Sequence, residues 1–145
     1  METSPLAGNL TARFVAGETL EQGLAVCRRL ARDGILITLD QLGENVASDT
    51  EAEASRDAYL EALSRIGAEK LPATVSIKLT QLGLNVSEDL CRANVDAVVQ
   101  AARDAGAGVE VDMEESRYVE RTLLQVRDMH RRYGCVRAVI QAYLR

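Results

Sequence analysis

One phrase occurs four times along this chain: a helical pattern of apolar residues, a glycine, a short β-branched run ending on a polar side chain, and then a loop. Strands that alternate with helices of this length make βαβ units, and therefore a parallel sheet with right-handed crossovers. The first helix is predicted over residues 18–33, where Leu20, Leu24, Cys27 and Leu30/Ala31 recur at helical spacing and Gly34 follows as a cap. A strand over 35–39 comes next. The second helix opens at Ser48, where Glu51 three residues on completes a capping-box pattern, and carries Ala54, Ala58/Tyr59, Ala62/Leu63 and Ile66 to a stop at Gly67. Its strand covers 74–79. Ser87 with the acidic pair Glu88 and Asp89 starts the third helix, which ends near Gly106 before a strand over 109–111. The fourth helix follows Ser116, ends before Gly134 and leads into 136–140.

The two faces of these strands decide which parallel sheet this is. Side chains alternate along a strand, so one face carries Ile37, Leu39, Val75, Ile77, Val109, Val111, Ala138 and Ile140, all apolar. The other carries Thr38, Asp40, Ser76, Lys78, Glu110, Asp112 and Gln141. A doubly wound sheet is covered by helices on both faces and reads apolar on both, whereas a barrel turns one face inward. The pattern predicts an α/β fold, a partial (β/α)8 TIM barrel comprising the first four strand-helix units. A complete barrel takes about 250 residues and eight strands. The chain is thus expected to be one partial barrel domain, residues 1–145, without its C-terminal half, and with two open sheet edges through which copies could self-associate.

Composition narrows the function classes. At 47% hydrophobic and 27% charged the chain is that of an ordinary folded domain. A net charge of -5, no Lys/Arg-rich run and few aromatic residues argue against nucleic-acid binding. No apolar stretch approaches the roughly 20 residues that span a bilayer, and residues 1–10 lack the profile of a signal peptide, which points to the cytoplasm. Cys27, Cys91 and Cys135 form no Cys-x-x-Cys pair and are read as packing residues; no metal site is expected.

The candidate chemistry lies where the polar face meets the C-terminal ends of the strands, the end at which barrel active sites are built. Asp40, Lys78, Asp112 and Gln141 occupy that level about one βα unit apart. Lys78, inward at the end of an apolar strand, needs a counter-charge, and Asp112 on the next strand is the natural one. Such a pair offers an opposite charge to each end of a substrate bearing both a carboxylate and an amine. It could equally be a structural layer of the barrel interior. Gln141 can donate to and accept from the edge of a flavin or nicotinamide ring. Glu44, after the turn residue Gly43, is read as a structural partner for backbone amides or for Lys78. His130, the sole histidine, sits in the last turn of a helix among Arg127, Arg131 and Arg132, and reads as a solvated surface residue. Neither a Gly-x-Gly-x-x-Gly motif nor a P-loop is present.

Five segments, in order, carry a resemblance: Phe14-Val-Ala-Gly-Glu-Thr-Leu, Leu39-Asp-Gln-Leu-Gly-Glu-Asn, Val75-Ser-Ile-Lys-Leu-Thr-Gln-Leu-Gly, Val111-Asp-Met-Glu-Glu-Ser and Ile140-Gln-Ala-Tyr-Leu-Arg. Together they resemble the monofunctional bacterial proline dehydrogenases, over nearly all of residues 14–145. The resemblance implies an FAD enzyme that oxidises L-proline to Δ1-pyrroline-5-carboxylate and passes electrons to a membrane quinone, in the cytoplasm or peripherally at the inner membrane. It makes Lys78 a substrate contact, Asp112 the active-site carboxylate, and Met113 and Gln141 contacts to the flavin. It also places a tyrosine over the substrate, an arginine pair on its carboxylate and most residues around the flavin phosphates on later strands and helices. Two other readings compete: a Schiff-base aldolase acting through Lys78, and a non-catalytic half-barrel that works by self-association or by pairing with a separate second half.

Overall fold

A computed structural model of the chain describes residues 15–141. The leader of residues 1–12, Phe14 of the first motif and residues 142–145 of the last lie outside the described residues. The chain divides into two compact units, Met1–Ile37 and Thr38–Arg145.

In the first unit, α1 spans Leu20–Arg32. Thr19 caps it by accepting the Gln22 amide, while the Gln22 side chain reaches back to the Thr19 amide, so two of the otherwise unpaired N-terminal donors are satisfied reciprocally. Gly34, at φ +73°, ends it as the sequence predicts, and Leu24 and Cys27 are buried.

The second unit is built on a four-stranded sheet of order β1-β2-β3-β4, with β1 at Ile37–Asp40, β2 at Ala73–Ile77, β3 at Val109–Asp112 and β4 at Val136–Val139. β3 pairs in parallel with both β2 and β4, aligning Val75, Val109 and Val136 in one row and Ile77, Val111 and Ala138 in the next. Sequential order with parallel pairing is what right-handed αβ crossovers produce. Helices α2 (Asp49–Glu69), α3 (Glu88–Asp104) and α4 (Val119–Tyr133) fill the crossovers, with α2 packed on α3 and α4 on both α3 and β4. The apolar face of the sheet is the core: Val75, Ile77, Val109, Val111 and Val136 are buried together with Leu63, Ile66, Val95, Val98, Val99 and Met129 of the helices. Ile140, predicted to join that face, lies beyond the end of β4 and is 71% exposed.

Local signals explain most helix boundaries. Ser48 and Ser87 each accept the amide three residues on, as N-caps do. Glu51 closes only half of its capping box, because its carboxylate takes the Ala47 amide rather than that of Ser48. Two expectations change. α2 does not stop at Gly67; it runs two residues further, and Lys70 takes the left-handed turn at φ 50°. Gly67 instead permits close helix approach, since a Cβ there would meet the Ala105 Cβ at 3.0 Å. Ser116 opens a 3-10 turn, Ser116–Tyr118, and the α-helix proper begins at Val119. Of the three cysteines, Cys27 and Cys91 are packed as expected, and burial pushes the Cys91 thiol up to about 12, leaving it unreactive. Cys135 is only half-buried.

Candidate active site at the strand ends

The polar face of the sheet converges on Lys78. β2 ends at Ile77, so Lys78 is the first residue past the ladder, with Asp40 closing β1 on one side and Asp112 closing β3 on the other. Its Nζ lies 3.5 Å from Asp40 Oδ2 and 3.6 Å from Asp112 Oδ2. The expected pair is therefore a triad with one net negative charge, and its second carboxylate comes from the strand on the opposite side. Side-chain exposures of 21% for Lys78, 34% for Asp40 and 25% for Asp112 leave the triad half-open to solvent on its inward face. Glu44 is exposed, and the ammonium's ion-pair partners among the described residues are the two aspartates instead.

Met113 is buried directly after Asp112, and its carbonyl accepts a hydrogen bond from Gln141 Nε2 at 3.3 Å. That bond holds the carboxamide of Gln141 beside the ends of β3 and β4. The Gln141 carbonyl oxygen takes no hydrogen bond among the described residues and can face a ring edge. Met113 and Gln141 are the described residues that could hold one edge of a planar heterocycle, while the chain carries no glycine-rich phosphate loop.

The loops behind the triad are tied to β2 by the two residues that follow Leu79. Gln81, 2% exposed, donates through Nε2 to the Gln41 carbonyl at 3.2 Å and so fixes the turn after Asp40. Gly43, at φ +156°, lies in that turn, where a Cβ would come within 3.0 Å of the same Gln81 nitrogen. Tyr59 of α2 supports Gln81 from below, its hydroxyl 2.8 Å from the Ser76 carbonyl and 3.1 Å from Gln81 Oε1. Burial holds the Tyr59 phenol well above its usual range, and the nearby Asp40 charge adds to the effect. Tyr59→Phe is expected to cost about 1–2 kcal/mol in urea unfolding, because the one hydroxyl proton that the Ser76 carbonyl and Gln81 Oε1 share is lost; unchanged stability would mean water replaces it. On the other flank, Thr80 bonds to Glu114 through both its amide and its hydroxyl.

Sequence reasoning named Tyr59 only as part of a helix's apolar pattern, and quoted Thr80, Gln81 and Glu114 only within the motifs that carry the resemblance, with no role for any of them. One signal was available: Thr80 and Glu114 each lie two residues past a member of the ion pair, at the same 34-residue offset as the β2 and β3 pairing. His130 is exposed, its Nδ1 2.8 Å from the Val136 carbonyl at the start of β4, remote in the fold from the strand ends. A cleft of about 340 Å³, lined by Glu88, Arg92, Arg121, Gln125 and Met129 among others, opens in the helical layer and includes no residue of the triad.

The proline dehydrogenase family model matches residues 24–145, which contain every element of this site. The chain belongs to the proline dehydrogenase family. Among its relatives, proline dehydrogenase 1 of Bacillus subtilis (strain 168) is 36% identical over 132 residues, covering 91% of this chain and 44% of that protein. Proline dehydrogenase of Deinococcus radiodurans is 34% identical over 141 residues, covering 94% and 46% respectively. The chain thus spans less than half the length of these relatives. A crystal structure of proline utilization A (PutA) from Bdellovibrio bacteriovorus inactivated by N-propargylglycine superposes with a TM-score of 0.82 at 24% identity, over 96% of this chain and 18% of that one. That likeness bears out the predicted fold: four parallel strands alternating with helices, part of a barrel domain. No helix among the described residues is long and apolar enough to cross a membrane.

Proposed function

We propose that this proline dehydrogenase homologue supplies one half of the site for FAD-dependent oxidation of L-proline to Δ1-pyrroline-5-carboxylate. The observation that carries the reading is Lys78 held between Asp40 and Asp112 at the C-terminal ends of neighbouring strands. L-Proline presents a carboxylate and a ring ammonium, and the triad presents one positive and two negative groups on a half-open face. Lys78 Nζ takes the carboxylate. Asp112 takes the ring nitrogen, orients it, and is placed to receive the proton that leaves as the ring C=N bond forms. Met113 and Gln141 would hold the flavin when it is bound, the carboxamide fixed by its bond to the Met113 carbonyl. What FAD contributes when bound is a two-electron acceptor at N5 for the hydride from the ring carbon next to nitrogen. The protein's part is orientation and charge, and no side chain here forms a covalent bond to substrate.

The reading extends to a membrane quinone as final electron acceptor, a cytoplasmic setting at or near the inner membrane, and completion of the barrel along its open β1 and β4 edges, by the remaining strands or by a second copy. Its test is the visible spectrum, under anaerobic conditions, of the chain completed in trans with the C-terminal strands of a relative and loaded with FAD. Bands near the usual flavin positions should bleach on adding L-proline and persist with D-proline or glycine. Bleaching that ignores which amino acid is added would sink the reading, and borohydride trapping of a substrate on Lys78 would replace it with Schiff-base chemistry.

A further inference from the structure

The hydrogen-bonded ladder between β2 and β3 stops one residue short of the chemistry. Its last aligned pair is Ile77 with Val111, so Lys78 and Asp112 stand just past it. Beyond them, Thr80 meets Glu114 across the same 34-residue offset that the ladder keeps. The Thr80 amide donates to Glu114 Oε2 at 3.1 Å and its hydroxyl donates to Oε1. The Asn45 amide donates to the Thr80 hydroxyl oxygen at 3.1 Å, which leaves that hydroxyl's proton for the carboxylate. Thr80 is fully buried. Lys78 and Asp112 are thus bracketed by the ladder on one side and by a charge-assisted, two-pronged clamp on the other.

We infer that Glu114, gripping Thr80, is a positioning residue: it carries the β2 to β3 register past the end of the sheet and so sets how the Lys78 ammonium and the Asp112 carboxylate face the substrate. The role in catalysis rests on the proposed function, whereas the clamp itself does not. Asp112 is held opposite Val139 in the ladder to β4, whereas Lys78 lies past the end of β2, and a misplacement of about 1 Å in such a site is enough to degrade binding or rate. The second arm is Asn45, which ties the β1 loop to the same hydroxyl and makes Thr80 the point where all three loops meet.

Thr80→Val keeps the buried volume and removes both hydroxyl bonds; Thr80→Ser keeps the hydroxyl; Glu114→Gln keeps the shape and removes the charge. Two readouts follow: the NMR one in the full chain, and the kinetic one in the full chain completed in trans with the C-terminal strands of a relative and loaded with FAD. In proton-nitrogen NMR at low temperature, the Lys78 ammonium should give a slowly exchanging signal in the parent and in Thr80→Ser, and a broadened one in Thr80→Val and Glu114→Gln. In steady-state kinetics, Thr80→Val and Glu114→Gln should raise KM for L-proline about tenfold with kcat changed by less than about threefold, and Thr80→Ser should stay within about twofold of the parent. An unchanged Lys78 signal in a Thr80→Val protein that melts normally would overturn the inference, as would a Thr80→Ser protein as impaired as Thr80→Val. Should Thr80→Val fail to fold, Glu114→Gln decides by the same signal. A parent chain that ignores L-proline, yet loses the Lys78 signal in Thr80→Val and keeps it in Thr80→Ser, would discard the proposed function and leave the clamp standing.

Discussion

On the proposed function, replacing Lys78 by methionine is expected to lower kcat/KM for L-proline on the order of 100-fold in the chain completed in trans and loaded with FAD, while changing thermal stability little. The asymmetry follows from where the ammonium sits. Its partners Asp40 and Asp112 are ion-pair neighbours on a partly solvated face, with side-chain exposures of 34% and 25%, so the triad's net share of folding stability is small, about 1 kcal/mol or less. On the proposed function, substrate binding would change that balance: a bound proline would exclude water from the triad, and two carboxylates with no cation between them would then repel the substrate carboxylate. Lys78→Arg keeps the charge but moves it, and should recover only part of the loss. Steady-state kinetics set beside a melting curve checks both halves of this expectation. If Lys78→Met reduced kcat/KM by less than about threefold, or if it unfolded the protein, Lys78 would be a structural layer of the barrel interior and not a substrate contact.

The geometry behind that prediction was only partly legible in the sequence. Lys78 and Asp112 could be paired in advance because both end strands that are neighbours in sequence, and in a parallel βαβ sheet such strands are neighbours in space. The apolar face could be read for the same reason, from alternation along each strand. Asp40 was visible as a strand-end residue, yet its contact with Lys78 depends on how β1 is set against β2, which alternation does not state. The clamp of Thr80 on Glu114 and the support of Gln81 by Tyr59 join residues that look like ordinary loop and helix positions one at a time. Gly67 shows the same limit from the other side. A glycine near the end of a helical pattern suggests a stop, but here its missing side chain is used by the neighbouring helix end at Ala105. Local propensity placed the elements, and contacts between elements reassigned the individual residues.

The chain expressed by itself is expected to bind FAD weakly or not at all, with a Kd above about 100 μM, and to purify colourless. The residues that the proposed function assigns to a flavin, Met113 and Gln141, would meet one edge of the ring, and a single edge contact returns little once the cofactor's lost freedom is counted. The sheet supports the same expectation. β1 and β4 are its edges, and the polar face, which a closed barrel would turn inward, holds Arg137 at 62% side-chain exposure opposite Glu110. Both edges must be paired before that face becomes an enclosed site. The measurement is a titration of the purified chain with FAD, followed by absorbance and flavin fluorescence, alongside its mass by light scattering. Tight, stoichiometric binding by a monomer would overturn the expectation, since it would show that four strands suffice. Tight binding by a dimer, with bands that bleach on L-proline, would mean that the open edges of two copies close a barrel together and that each copy brings its own Lys78 and Asp112 to the rim. A colourless chain that gains colour when the strands its relatives carry beyond this region are supplied in trans would assign the flavin phosphates to those strands, and would leave to this chain the triad and the ring edge.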